Sequence, residues 1–147
     1  MAKNIRVGAV DWRQPEWNGP LYPLDMPEEW RLTFYSSQFN CVFLSNPLWA
    51  GKAVAERREW RDEVHSEFVF LLESDDISTH STALADKEIL VDSGDTRICW
   101  FDKNSDLRGL ADVIRGSADD AELFLLSRDG DLAQMERVNT LLELMGY

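Results

Sequence analysis

Five carboxylates each follow a short apolar run of the sequence, and they are the residues best placed to do chemistry. If those runs are parallel strands, the carboxylates lie at the carboxyl ends, where α/β proteins bind ligands. Carboxylate oxygens suit Mg²⁺, and Asp11, Glu73 and Asp102 would then serve a small metal-dependent hydrolase or phosphoesterase. In so acidic a chain we favour the alternative that such residues cap the following helices or turns. The five are Asp11, Glu73, Asp92, Asp102 and Asp129.

The two histidines give little support to catalysis. His80 follows Thr79 in a polar segment and could exchange protons near neutral pH, but the sequence offers no nucleophile for it. A hydrogen-bonding structural role is favoured. His65 lies at the end of a predicted helix, where it complements the helix dipole.

Aromatic residues are frequent near the predicted strand ends and loops. Aromatic side chains in loops are good anchors for a partner protein, and Trp12, Trp17 and Trp100 could equally line a small-molecule sensor or simply close the top of the core. These interpretations stay open. The candidate ligand-binding or partner-binding residues are Asp11, Trp12, Trp17, Tyr22, His80, Trp100 and Arg128.

The elements that would position these residues alternate between strand and helix. That alternation predicts an α/β fold of βα units with parallel strands. Strands are expected over 5–10, 41–44, 68–72 and 122–126, with a helix over 52–65. Strands at 89–91 and 97–101 leave no room between them for a parallel crossover, so one of the two should be short, irregular or antiparallel. A short helix is possible over 81–87.

The first helix is expected to begin at Asp25, because a cap, Pro27 and Glu28 together favour helix initiation. Trp30, Phe34 and Phe39 would form its buried stripe.

Composition predicts one cytoplasmic domain over residues 1–147. The chain has 147 residues, of which 44% are hydrophobic, and carries a formal net charge of -12. A negative field of that size repels nucleic acid and anionic lipid, and no apolar run is long enough to span a membrane. Cys41 and Cys99 lie in apolar runs, where free cysteines act as small hydrophobes. No disulfide, zinc site or other cofactor is predicted.

Several motifs resemble the YecE-like family, also called domain of unknown function 72. They are Val7-Gly8 followed by Trp12, the loop from Trp17 to Pro23, the helix from Trp30 to Asn40, Phe68-Val69-Phe70, and the segment from Ile77 to His80. Residues 123–129 and the final helix resemble the last unit of the family. The resemblance implies an eight-stranded (β/α) barrel, which needs about 250 residues. We therefore expect a partial barrel with about five mainly parallel strands and two or three central units missing.

The polar residues that the family places at its strand ends are largely replaced here. Where its second strand reads Val-Glu-x-Asn, the two polar positions fall on Phe43 and Ser45, and a lysine at the end of strand three corresponds to Glu73. The paired asparagines after the last strand correspond to Ser127 and Arg128. A phenylalanine in place of a buried carboxylate removes an acid/base group and fills its space.

The sequence therefore predicts a non-catalytic interaction or assembly protein derived from such a barrel. The missing units would leave two bare strand edges, which favour pairing with another chain. A homodimer or another protein partner is expected, without nucleic acid or membrane. A small metal-dependent hydrolase and a small-molecule sensor are the alternatives.

Overall fold

Short strands alternate with helices in the computed structural model, which describes residues 4–74, 87–92 and 94–147. The strands are β1 (Asn4–Val10), β2 (Cys41–Leu44), β3 (Val69–Glu73), β4 (Glu88–Val91), β5 (Ile98–Phe101) and β6 (Glu122–Ser127). The helices are α1 (Arg31–Gln38), α2 (Asn46–Trp49), α3 (Val54–Asp62), α4 (Leu107–Gly116) and α5 (Leu132–Leu144). Two 3-10 turns, Pro15–Trp17 and Glu28–Trp30, precede α1.

The six strands form one sheet in the order β4-β3-β2-β1-β6-β5, and every neighbouring pair is parallel. The longest pairing joins β1 to β6, from Asn4 opposite Glu122 to Ala9 opposite Ser127. The predicted α/β class and parallel strands are confirmed, with one strand more than the five expected. A complete (β/α) barrel has eight strands, two more than the described residues form.

The connection from β4 to β5 forces the sheet to curl. These strands lie at opposite edges, yet only residues 92–97 separate them in the chain. In a flat sheet they would be about 24 Å apart, and the chain would also return about 13 Å along the strand direction. Seven Cα steps reach about 25 Å at full extension. Residues 95–98 are not extended but form a turn, with Ile98 N–H bonded to Asp95 O at 3.3 Å. A flat sheet is excluded.

Both β4 and β5 are four residues long and parallel to their neighbours, so neither is antiparallel to the rest. The expectation that one of the two is short, irregular or antiparallel is met in that both strands are short. No crossover connection is needed between them, because they are not neighbours in the sheet.

Apolar side chains fill the concave side of the sheet. The ring centroids of Phe43 on β2 and Trp100 on β5 are 5.3 Å apart, although β1 and β6 lie between their strands in the sheet. This contact across the interior is direct evidence of the curl. The cluster around it consists of Cys41, Phe43, Val69, Leu71, Val91, Phe124 and Leu126, with Val10, Ile89, Ile98 and Trp100 packed against it. As in small closed barrels, the interior is a packed core.

Helices cover the convex side, where the larger core lies. Tyr35 of α1 joins the two layers: its hydroxyl accepts from Ala9 N–H at 2.9 Å and donates to Cys41 O at 2.7 Å. This hydroxyl lies between β1 and β2 and is completely buried. Other members of the larger core include Val7, Val42, Leu44, Phe70, Leu72, Leu125, Trp60, Ile114, Met135 and Val138.

The beginning of α1 differs from the prediction. Pro27 is extended, with φ −58° and ψ 144°, so no helix continues through it from Asp25 and α1 begins at Arg31. The later start changes the buried face: Leu32 and Tyr35 are buried, whereas Trp30 is 60% exposed. The predicted stripe of Trp30, Phe34 and Phe39 is therefore wrong for Trp30, and only Phe39 of the three is fully buried.

Two other helices also differ from expectation. The short α2, with Pro47 in its first turn, was not predicted, and α3 is shorter than the expected 52–65. The helix expected over 81–87 lies outside the described residues apart from Lys87.

Gly8 provides a test of the close approach between β1 and β2. A Cβ there would lie 2.0 Å from Cys41 O and 2.7 Å from its carbonyl carbon. We expect Gly8→Ala to lower the free energy of unfolding by about 3 kcal/mol, the upper end of the cost of overpacking. Urea denaturation measures the change.

Gly109→Ala is the matched control. Gly109 lies in α4 with no atom within 4 Å of an added Cβ, so the same substitution should raise the free energy of unfolding by about 0.5–1 kcal/mol. Equal effects at the two positions would contradict the close approach.

Candidate functional site

The carboxyl ends of the six parallel strands form one face, and the predicted carboxylates follow them. Asp11 comes directly after β1, with a positive φ of 61° that Asp tolerates better than most residues. Its Oδ1 accepts from the backbone N–H groups of Trp12 at 2.7 Å and Arg13 at 3.2 Å, and from Arg13 Nε at 3.0 Å. Asp11 thus holds its own turn together.

Three more of these carboxylates also accept hydrogen bonds from neighbouring loops. Glu73 Oε1 accepts from Asn46 N–H at 3.3 Å. Asp92 Oδ1 accepts from Gly94 N–H at 2.8 Å, and Asp102 Oδ1 from Asn104 N–H at 2.9 Å.

Asp129 joins two loops at this face. Its Oδ2 accepts from Lys103 N–H at 3.0 Å, and its Oδ1 from Asp131 N–H at 3.1 Å and Ser127 Oγ at 3.2 Å. Partial burial would raise the pKa of Asp129, but these hydrogen bonds outweigh it and lower the pKa below its ordinary value. Asp129 is ionised at neutral pH and orders the loops that follow β5 and β6.

The metal ligands considered above are not assembled into a site. Within residues 4–74, 87–92 and 94–147, no group of three or more His, Cys, Asp and Glu side chains is arranged to hold a metal ion. Asp11, Glu73 and Asp102 therefore form no such group.

Three of the candidate aromatic residues are buried. Trp17 is 1% exposed; its Nε1–H donates to Gly130 O at 2.8 Å and its ring stacks on Tyr35 at 5.8 Å between centroids. Tyr22 is fully buried and donates its hydroxyl to Trp12 O at 2.5 Å, and burial raises the pKa of Tyr22 well above its ordinary value. Trp12 is buried as well. These three rings pack into the core beneath the strand ends.

Trp100 on β5 and Arg128, directly after β6, remain accessible. Arg128, which is exposed, places its guanidinium carbon 5.1 Å from the centre of the half-buried Trp100 ring. Trp100 also meets Phe43 edge to face. Trp100 therefore makes both a cation–π contact and an aromatic contact. The remaining candidate, His80, lies outside the described residues.

Two surface hollows away from the strand ends were not anticipated. One, of about 490 Å³, lies between α4 and α5 and is lined by Leu107, Leu141 and Leu144 among others. The other, of about 400 Å³, lies along α1 beside Trp30 and Phe34. The sequence does contain a signal for the second hollow, since Trp30, Thr33, Phe34 and Ser37 follow helical spacing. The predicted buried stripe, however, includes Trp30 and Phe34.

Parallel strands curled around an apolar interior, with helices outside and loop-bound carboxylates at the strand ends, define a partial (β/α)-barrel protein. A comparison with family profiles matches residues 6–142 to the family described as "Protein of unknown function DUF72". The chain belongs to this family, so the resemblance to YecE-like proteins is confirmed.

A solved structure shares the fold. The crystal structure of a DUF72 family protein from Thermotoga maritima matches with a TM-score of 0.65 and 10% sequence identity, covering 95% of this chain and 99% of that chain. No curated protein matches the chain significantly. In the described parts of the chain, no helix has the length and apolarity needed to cross a bilayer.

Phe43 tests whether the interior near the strand ends is a packed core or a solvated site. Phe43→Glu would place a carboxylate in the apolar cluster with Trp100, and an uncompensated buried charge costs about 3–5 kcal/mol. Phe43→Leu, the control, should cost about 1.5 kcal/mol or less. Urea denaturation of both variants measures the difference.

The pH dependence of the stability of Phe43→Glu is a second test of the packed interior. Burial raises a carboxyl pKa in the folded state, so the neutral form of the introduced carboxyl group is favoured there. The loss of stability in Phe43→Glu relative to Phe43→Leu should therefore be larger at pH 8 than at pH 4. If Phe43→Glu and Phe43→Leu were equally stable at both pH values, water would occupy this space and the packed interior would be contradicted.

Proposed function

We propose that the protein is a non-catalytic interaction protein that self-associates in the cytoplasm. The observation that carries the proposal is the contact between Phe43 and Trp100, 5.3 Å between centroids, one residue before the carboxyl ends of β2 and β5. Barrel enzymes place their reactive groups at the face formed by these strand ends. An aromatic pair there provides no proton donor, acceptor or nucleophile.

The carboxylates around that pair support the same proposal. Asp11, Asp102 and Asp129 accept two or three hydrogen bonds each from groups of the surrounding loops. These bonds order the loops after the strands, which explains the positions of the three carboxylates without a bound metal ion. The function proposed therefore requires no cofactor.

Charge and cysteine chemistry fit a cytoplasmic protein with protein partners. The net charge of -12 disfavours nucleic acid and anionic lipid. Cys41 and Cys99 are free thiols, and burial raises the pKa of Cys41 to about 12. Such a thiol stays protonated and inert.

The hollow between α4 and α5 is the surface we assign to self-association. Leu144 is 81% exposed at its margin, next to Leu107 and Leu141. In a two-fold dimer, the same surface patch of each subunit faces its copy on the other subunit. Two copies of a patch with one charge sign repel each other, whereas a patch with both signs can pair its positive residues with the negative residues of its copy. This surface is mixed: the residues around it include Arg108, Asp112, Arg115, Glu136 and Arg137.

Leu144→Glu tests this surface by sedimentation velocity over a concentration series. Burying an exposed leucine contributes about 1.5–3 kcal/mol, and two symmetric contacts are lost at once. We expect wild type to form a dimer and Leu144→Glu to raise the dimer dissociation constant at least tenfold, about 1.4 kcal/mol.

The control is Leu24→Glu, which makes the same chemical change at a side chain that is 83% exposed elsewhere. It should leave the dissociation constant within about twofold, a free-energy change of about 0.4 kcal/mol. A wild-type monomer at high concentration, or equal effects of the two variants, would count against the assignment.

The metal-dependent hydrolase alternative has its own test. Asp11→Asn keeps a side-chain oxygen for the turn and tolerates the positive φ but removes the charge that Mg²⁺ would need. On our proposal, Mg²⁺ or Mn²⁺ shifts the thermal unfolding midpoint equally in wild type and Asp11→Asn. A metal-dependent stabilisation seen in wild type alone would favour the hydrolase.

A further inference from the structure

An apolar groove runs along the outer face of α1. It has a volume of about 400 Å³ and is lined by Met26, Trp30, Thr33, Phe34 and Ser37. Trp30 is 60% exposed, an unusual position for the largest apolar side chain. The last four lining residues follow the i, i+3, i+4, i+7 spacing of one helix face. This groove can receive an apolar side chain of a ligand.

An acidic pocket lies on the other side of the same segment. Glu28 and Glu29 line it, although Met26 and Trp30, which flank them in the chain, line the apolar groove. Three glutamates of the α3 region complete its acidic lining: Glu56, Glu59 and Glu63. Neighbouring residues are about 3.8 Å apart along the chain, so one short ligand can contact both hollows.

The negative charge of the pocket is only partly balanced. Its two cations are Lys52 and Arg13; Lys52 pairs with Glu56 at 3.5 Å, and Arg13 pairs with Asp11, outside the pocket, at 3.0 Å. The pKa of Glu63 is raised by partial burial and by the charges of Glu59 and Glu29. The carboxylates therefore repel one another, and an added cation would relieve that repulsion.

We propose that this face binds a segment of a partner protein that carries an apolar side chain next to lysine or arginine residues. The apolar side chain occupies the groove beside Trp30, and the basic residues lie against Glu28, Glu29 and Glu59. Charge complementarity selects this occupant. A second copy of the chain would bring the same carboxylates to the contact, and an anionic membrane would be repelled.

The inference rests on the proposed function, because it assumes an interaction protein, but it concerns a different surface from the one assigned to self-association. The self-association proposal and the partner-binding proposal can therefore each be disproved without affecting the other. Self-association is measured with Leu144→Glu, whereas partner binding is measured at α1, and the titration below can be repeated in the Leu144→Glu background.

The experiment titrates ¹⁵N-labelled protein with an eight-residue peptide of alternating leucine and lysine, capped at both ends, and follows amide and indole NMR signals. We expect saturable shifts at the Trp30 indole, Thr33, Ser37 and Glu59, with a dissociation constant on the order of 100 μM, about −5.5 kcal/mol. A peptide with glutamate in place of lysine should cause no shifts. Trp30→Ser should weaken binding at least fivefold while remaining folded by circular dichroism.

The control variants carry equal changes of net charge. Glu29→Gln combined with Glu59→Gln should weaken binding at least fivefold, and Asp119→Asn combined with Asp120→Asn, at two exposed positions outside both hollows, less than twofold. Equal weakening by the two pairs, shifts scattered over the surface, equal binding of the glutamate peptide, or no binding would each overturn the proposal. Binding of phosphatidylglycerol vesicles that Trp30→Ser abolishes would overturn it in favour of a membrane.

Discussion

The short link between β4 and β5 constrains the rest of the structure. Six residues join two parallel strands at opposite edges of the sheet, a distance that they cannot cover if the sheet is flat. The sheet curls for this reason, and its concave side becomes an enclosed space that must be filled. The apolar cluster from Cys41 to Leu126 fills it, and the contact between Phe43 and Trp100 follows directly from the curl.

Filling the interior determines what the strand-end face can do. In a wider barrel the inward side chains near the top can be polar and solvated, because the space between them admits water or a ligand. Here the inward position near the end of β2 holds Phe43, packed on Trp100 and buried at 7% exposure. The carboxylates are displaced to the rim, where they hold the loops, and the interaction surfaces that we propose lie on the outer helices instead.

Much of the fold follows from local sequence. The alternation of apolar runs and amphipathic stretches predicted the α/β class, and the positions of β1, β2, β3 and β6 were nearly correct. The relation between β4 and β5 could not be predicted, because strand order depends on how distant segments close the sheet. The start of α1 was predicted too early, because Pro27 is extended and no helix runs through it from Asp25. The later start leaves Trp30 exposed instead of buried. The sequence identified which residue types lie near the strand ends. It could not show whether Trp17 faces a ligand or the core, because that depends on its contact with Gly130, more than 100 residues away in the chain.

The two edges of the sheet determine where proteins with this fold can gain or lose whole βα units. Within the described residues, β4 and β5 each have one strand neighbour in the sheet, and their side chains belong to the same apolar cluster without a backbone ladder between the two edges. Additional βα units could be inserted at residues 92–97 and pair with both edges without breaking a hydrogen bond between the existing strands. The gain or loss of whole units at this point is therefore a local event, which leaves the order and register of the other strands unchanged.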